Sequence, residues 1–163
     1  MASTRYIQFS ITTAAGTSSI TVEDRRIVSI PMESAITTTV DYSVVGTPIC
    51  NGNLYDGRIL WTGAQFLITH DDYSTLLGLV RRQESQRRAG NSFAITFKNV
   101  LYPFIDPDTT RTRAIASGVA TVQSDGTLSY FASHNVAIVA MGVERTGSYY
   151  TVNMDWQELE LTP

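Results

Sequence analysis

The sequence predicts a mostly β chain, an antiparallel β-sandwich or partly closed barrel of roughly ten strands with one α-helix at about residues 70–89. Three observations lead there. Apolar and polar residues alternate with period two through most of the chain. Turn residues recur at close intervals between the alternating runs. One stretch breaks the alternation, "THDDYSTLLGLVRRQESQRRAGN" from Thr69 to Asn91.

The strands follow in order. "RYIQFSI" sets Ile7, Phe9 and Ile11 on one face. Residues 12–24, "TTAAGTSSITVED", read as a long loop or a hairpin arm holding a short "SITV" strand, with "RIVSI" after it. "AITTTVDYSVV" alternates from Ile36 to Val44, and "GRILWT" and "QFLIT" are two further short strands. "SFAITFK" puts Phe93, Ile95 and Phe97 on a dry face. After the loop "DPDTTRTR" at 106–113 come "AIASGVATV" and "TLSYFA", joined through "VQSDGTLSYF", the best hairpin signal in the chain. "NVAIVAMGV" places Val136 and Ile138 on one face and Val139 and Met141 on the other, which predicts a central strand covered on both sides. "YYTVNMDW" closes the series with Tyr150, Val152, Met154 and Trp156 inward. Turns are expected at 51–53, 56–57, 106–108, 125–126 and 145–147. No internal repeat or linker divides the chain, so residues 1–163 read as a single domain with one packed helix.

The helix has recognisable ends. Thr69 followed by Asp72 is a helix-start pattern, and the acidic pair Asp71 and Asp72 suits the positive end of the helix dipole. Tyr73, Leu76, Leu77 and Val80 form a stripe at helical spacing that continues as Glu84, Arg87 and Arg88. The expectation is that the apolar stripe stops at Val80, the dry face ends one turn later, and the second half of the helix leaves the core. Gly90 then ends the helix.

Composition bounds the function. The net charge of −3 gives no support to a general nucleic-acid binder. Ser and Thr together number 36, which favours β structure and uncharged hydrogen-bonding surfaces. Eleven of the twelve basic residues are Arg, the residue enriched in protein interfaces; Lys98 is the exception. Cys50 is the lone cysteine, which predicts a small buried thiol and no disulfide framework. "MASTRYIQFSITT" has no apolar signal core, and no run reaches membrane-spanning length, so folding in the cytosol is expected.

Catalytic motifs are missing from the sequence: no G-x-S-x-G, P-loop, H-E-x-x-H or C-x-x-C. His70, Asp71 and Asp72 are adjacent in a helix, so their side chains diverge by about 100° per residue. His134 falls in "ASHN", read as a loop, with no ligand spacing to His70. Asp106, Asp108 and Asp125 sit in turns, where Asp serves the backbone. Paired carboxylates for glycoside hydrolysis remain open, because only the fold sets their separation. The expectation is a protein without catalytic, metal or cofactor residues. Arg81, Arg82, Arg87 and Arg88, with Arg25 and Arg26, are the candidate subunit-interface residues. The competing reading is that the helix end is a solvated face.

The segments "GRILWTGAQFLITHDDYSTLLGLVRR" and "YYTVNMDWQELEL" place one helix after a Trp-containing strand and end on an aromatic strand. In this element order the chain resembles the β-sandwich-plus-helix module of phage tail tubes and distal-tail hubs. The resemblance implies a structural, non-enzymatic virion protein that assembles in the host cytoplasm. It also implies rings of copies, usually hexameric, contacting other tail proteins, with DNA passing through the lumen without specific binding. An acidic chain suits such a conduit because it repels phosphate. The alternatives are a capsid decoration protein, or a glycan-binding module on a fibre or capsid surface, where exposed Trp and Tyr would stack on sugars. Trp61 and Trp156 fall in strand runs and are expected in the core.

Overall fold

Period-two burial runs through the chain as the alternation predicts. In a computed structural model, residues 4–34, 39–42, 45, 48–51 and 58–160 are described, without the side chains of 33–34, 39–42, 48–51 and 160. Twelve strands and one α-helix lie among them: β1 (Tyr6–Thr13), β2 (Gly16–Glu23), β3 (Ile27–Ser29), β4 (Glu33–Ser34), β5 (Thr39–Tyr42), β6 (Pro48–Asn51), β7 (Ile59–Ile68), α1 (His70–Arg88), β8 (Ile95–Asn99), β9 (Phe104–Asp106), β10 (Ala114–Val122), β11 (Leu128–Thr146) and β12 (Tyr149–Glu160). The expected strand from Ile36 to Val44 is described only as β5, and the turns at 52–53 and 56–57 and the Cys50 thiol fall outside the described residues.

Ten strands form one antiparallel sheet that does not close into a barrel. Its main order is β2-β1-β8-β11-β12-β7-β3, with β4 beside β7; β5 and β6 pair separately. Strand β11 is long enough to carry two sets of neighbours. Its first half lies between β9 and β10, Ser129 pairing with both Ile105 and Thr121. Its second half pairs with β12 as far as Thr146↔Tyr149, across a tight turn in which Gly147 has φ 63°.

The sheet folds over its own inner face. Phe9 on β1 meets Trp156 on β12 at 5.0 Å between ring centroids, and Trp61 on β7 meets Phe97 on β8 at 5.1 Å. Neither pair sits on adjacent strands, so these rings bridge two layers. Both tryptophans are fully buried, as expected. The curvature has local causes on either side of Trp156. Between Met154↔Ala64 and Trp156↔Trp61, β7 carries an extra residue, and Gly63 there has φ 73°. Between Ile138↔Trp156 and Ala140↔Asp155, the extra residue is Val139 in β11. Each bulge bends its strand and increases the local twist. The amide of Gly63 donates to Asp155 Oδ1 at 2.7 Å, which holds the first bulge.

Five expectations are corrected. "GRILWT" and "QFLIT" form the single strand β7, because the Gly63 bulge interrupts the alternation but not the pairing. "TLSYFA" and "NVAIVAMGV" likewise form one strand, so "ASHN" is no loop and His134 is buried in β11. That strand is buried on both faces only from Ala132 to Ile138, and the bulge turns Val139 out to solvent. Residues 12–24 are not a long loop; the hairpin reading is the one formed, β1 and β2 pairing from Tyr6↔Glu23 to Thr13↔Gly16 with Ile20 and Val22 in the core. The loop at 107–113 and the hairpin into β11 are as expected.

The fifth correction concerns the helix. Its start is as read: the Thr69 hydroxyl accepts from the Asp72 amide at 3.3 Å. Its end is a Schellman arrangement, with Gly90 at φ 72°, its amide bonded to the Arg87 carbonyl and that of Asn91 to the Gln86 carbonyl. The fully buried stripe, however, is Leu76, Leu79 and Gln83, with Tyr73 and Val80 partly covered. The apolar stripe does stop at Val80, as read, but a polar residue carries the burial on. One turn later, the Gln83 amide bonds both backbone groups of Ile138 at 2.9 Å, as a neighbouring strand would. Replacing Leu79 with Ala should therefore cost about 2–5 kcal/mol in chemical unfolding, and Leu77→Ala less than half as much. Gln83→Leu should cost about 1–3 kcal/mol, because it leaves the Ile138 backbone groups unbonded.

Candidate functional site

The six arginines singled out in the sequence do not form one surface. Arg25 and Arg26 follow β2 in a 3-10 turn and line a shallow depression with Leu67 and Tyr149. Arg26 Nη1 lies 3.4 Å from Asp72 Oδ2 in the first turn of α1, and Arg25 pairs with Glu23 at 2.7 Å. Arg81, Arg82, Arg87 and Arg88 lie on the second half of the helix, roughly 24 Å from Asp72 along its axis to Arg88 at 1.5 Å per residue. Arg87 pairs with Glu84 one turn back at 2.9 Å, which lowers the Glu84 pKa and raises that of Arg87.

The others are differently placed. Among the described residues, Arg81 and Arg88 have no carboxylate within bonding distance, and one buried guanidinium nitrogen of Arg82 has no hydrogen-bond partner. Beside them the β11 bulge leaves an open groove. Val80, Ile138, Val139, Ala140 and Met141 form its apolar floor with Glu84 at its edge, and a second depression beyond Val80 and Glu84 is lined by Arg81, Ser85 and Arg88. Bulge and helix together make the groove, so no single stretch of sequence announces it.

His70 and the acidic pair at the helix start are engaged locally. His70 Nδ1 lies 3.0 Å from the Tyr150 hydroxyl, while Asp72 takes Arg26. Among the described residues, no three His, Cys, Asp or Glu side chains are grouped to hold a metal ion. No helix of the described chain is long and apolar enough to cross a membrane.

A second cluster was invisible in the sequence. Glu158 on β12 is fully buried and accepts four hydrogen bonds. Arg113 donates two, Nε to Oε1 at 2.9 Å and Nη2 to Oε2 at 2.8 Å. His134 Nδ1 lies 2.8 Å from Oε1, and the Ile59 amide donates to Oε2 at 3.0 Å. Burial pushes the Glu158 pKa up, but the bonds from His134 and Arg113 outweigh it and hold the carboxyl below its ordinary 4.5. An ionised carboxylate only accepts, so His134 Nδ1 carries its proton. The Arg113 guanidinium also lies 4.3 Å over the Phe104 ring.

The network continues on the other side of Arg113. Its amide donates to the Tyr130 hydroxyl at 3.0 Å, and that hydroxyl donates to Asp106 Oδ2 at 2.7 Å. Asp106 also takes the Thr112 amide, the turn role the sequence assigned to it, although it is buried. Asp108 and Asp125 are ordinary turn residues bonded to the amides of Thr110 and Thr127. Burial and then the Asp106 bond push the Tyr130 pKa up to about 12, so it remains a donor at neutral pH. Next to His134 is a cavity of about 20 Å³, also lined by Asn99, Tyr102 and Phe104. That volume suits one water molecule rather than a substrate. No family model, curated protein or solved structure matches the chain.

Two measurements test this cluster. Glu158→Gln should cost about 3–5 kcal/mol in urea unfolding, because it leaves Arg113 buried without its counter-charge. The double replacement Arg113→Met with Glu158→Leu should recover much of that loss. Because the folded pKa of Glu158 is depressed, its stabilisation is complete above about pH 4.5 and is lost as pH falls through the lower folded value. Glu158→Gln should flatten that acid limb. In spectrophotometric titration one tyrosine should ionise near pH 12 and disappear in Tyr130→Phe.

Proposed function

We propose that the chain is a non-enzymatic structural subunit of a phage tail, of the distal-tail-hub or tail-tube type, which assembles as a ring of copies around the DNA conduit. The observation that carries this reading is the apolar groove beside the second half of α1, with the depression lined by Arg81 and Arg88 adjoining it across Val80 and Glu84. An apolar floor with Arg beside it is the composition of a protein interface. Its partner is an acidic, partly apolar surface of the next copy, which supplies carboxylates to Arg81 and Arg88. The chain's net charge of −3 suits a lumen along which DNA slides.

The remaining chemistry supports a structural role. Glu158, Arg113, His134 and Asp106, the buried groups that a catalytic site would draw on, are bonded to one another or to backbone. The alternative of a glycan-binding module loses its best platform, because Trp61 and Trp156 are buried.

The purified protein should form rings in sedimentation velocity and negative-stain images. Arg81→Glu with Arg88→Glu should leave a folded monomer that no longer assembles, its melting temperature changed by no more than about 2–4 °C. Leu79→Ala serves as the contrast, losing stability first and assembly only as a result. A wild-type monomer at all concentrations that binds a glycan array would overturn the proposal.

A further inference from the structure

β2 is an exposed sheet edge unlike the others. Native proteins guard edges with bulges, Pro, Lys or very short strands. The other edges here follow that rule: β10 and β3 carry register irregularities, β9 has three residues and β4 has two. β2 follows none of it. Its eight residues, Gly16–Glu23, pair with β1 without a register shift, and "GTSSITVE" holds no Pro, Lys or Arg.

The ladder fixes which backbone groups are free. Thr13 and Gly16 close a two-residue turn, so the amides and carbonyls of residues 16, 18, 20 and 22 face β1. The bond from the Asp24 amide to the Arg5 carbonyl at 3.0 Å continues that alternation. The N–H and C=O groups of Thr17, Ser19 and Thr21 therefore point away from β1, and no other strand pairs with them. All three residues are exposed. Their side chains continue an uncharged outer face, where Thr17 bonds Thr12 at 2.9 Å and Thr21 bonds Gln8 at 3.0 Å.

We propose that β2 pairs antiparallel with β2 of a second copy about a two-fold axis through Ser19, joining the two sheets into one. In this register Thr17 pairs with Thr21 of the other copy and Ser19 with its own equivalent, so every free group finds a partner. The pairing is self-complementary, as a two-fold contact must be. It opposes no like charges, because Glu23, the lone charge of the strand, falls opposite Ala15 beyond the other strand's start. This contact uses a different surface from the apolar groove beside α1 and does not depend on the tail reading.

Amide exchange followed by NMR tests it. From micromolar to near-millimolar protein, the Thr17, Ser19 and Thr21 amides should change from fast to slow exchange, while those of Ser18, Ile20 and Val22 stay protected throughout. Ser19→Lys would place two cations opposite each other on the axis and should weaken the dimer at least about tenfold in sedimentation equilibrium. The same variant should melt like the wild type, and Ser19→Thr should dimerise normally. Fast exchange at every concentration would overturn the proposal. So would a dimer indifferent to Ser19→Lys, or protection that appears only when a different protein is added.

Discussion

A single buried carboxylate ties together parts of the chain that are far apart in sequence. Glu158 sits near the end of β12, yet it holds the first amide of β7, the imidazole in the middle of β11 and the guanidinium that leads into β10. Burying a carboxylate costs several kcal/mol unless its lone pairs are fully used. Four donors use them here, two of them from an arginine that is itself held by Thr112 and Phe104. None of these contacts is local, so the charge becomes tolerable only after β7, β11 and β12 have assembled. That requirement makes the far end of the sheet cooperative: a strand that frays exposes an unpaired ion. The hydrophobic rings fill the interior, but this cluster decides which strands must meet.

The same region sets the curvature. Trp156, two residues before Glu158, lies between the Gly63 bulge in β7 and the Val139 bulge in β11. Without bulges the flat sheet would hold Phe9 and Trp156 apart, since β8 and β11 lie between their strands. With them, the sheet turns its inner face on itself and the two rings meet edge to face. The bulge at Val139 disturbs the ladder next to Ile138, whose backbone groups would otherwise be unmet, and Gln83 supplies the bonds. A polar residue thus anchors the second half of the helix. The bent strand beside it leaves the apolar groove open.

How much of this the sequence revealed follows from what alternation can and cannot encode. Ile7, Phe9 and Ile11, and Val152, Met154 and Trp156, read directly as inward faces because their strands have one dry side. Thr69 and Gly90 showed the limits of the helix because caps are local chemistry. Gln83 was missed because an apolar-stripe rule discards polar residues, even one buried by an amide that imitates a strand. His134 was placed in a loop because "ASHN" contains polar residues on both faces of β11, whereas the fold pairs its backbone with β8 and its imidazole with Glu158. The Arg113–Glu158 pair spans 45 residues and follows no motif, so nothing short of the fold could bring it together. The arginines were visible as a group. Which of them already had partners was not.

The distribution of charge separates two surfaces. The outer face of β1 and β2 carries Gln8, Ser10, Thr12, Thr17, Ser19 and Thr21, hydroxyls and an amide, with Glu23 as an ion at its end, paired with Arg25. The helix carries the cations, and three of the six arginines considered are already paired with Glu23, Asp72 and Glu84. Those pairs are exposed or partly so and contribute little to folding. What remains for a neighbour is Arg81 and Arg88, since the unbonded nitrogen of Arg82 is buried. A contact made through such a groove would join unlike surfaces and propagate from copy to copy, into a ring where the rotation closes and a filament where it does not. A two-fold contact through β2 joins like surfaces and stops at two. A subunit with both would pair two rings face to face only where the two-fold axis crosses the ring axis at a right angle. Neither contact could replace the other: one would need opposite charges beside an apolar floor, and the other a strand edge whose charge, Glu23, lies outside the paired span.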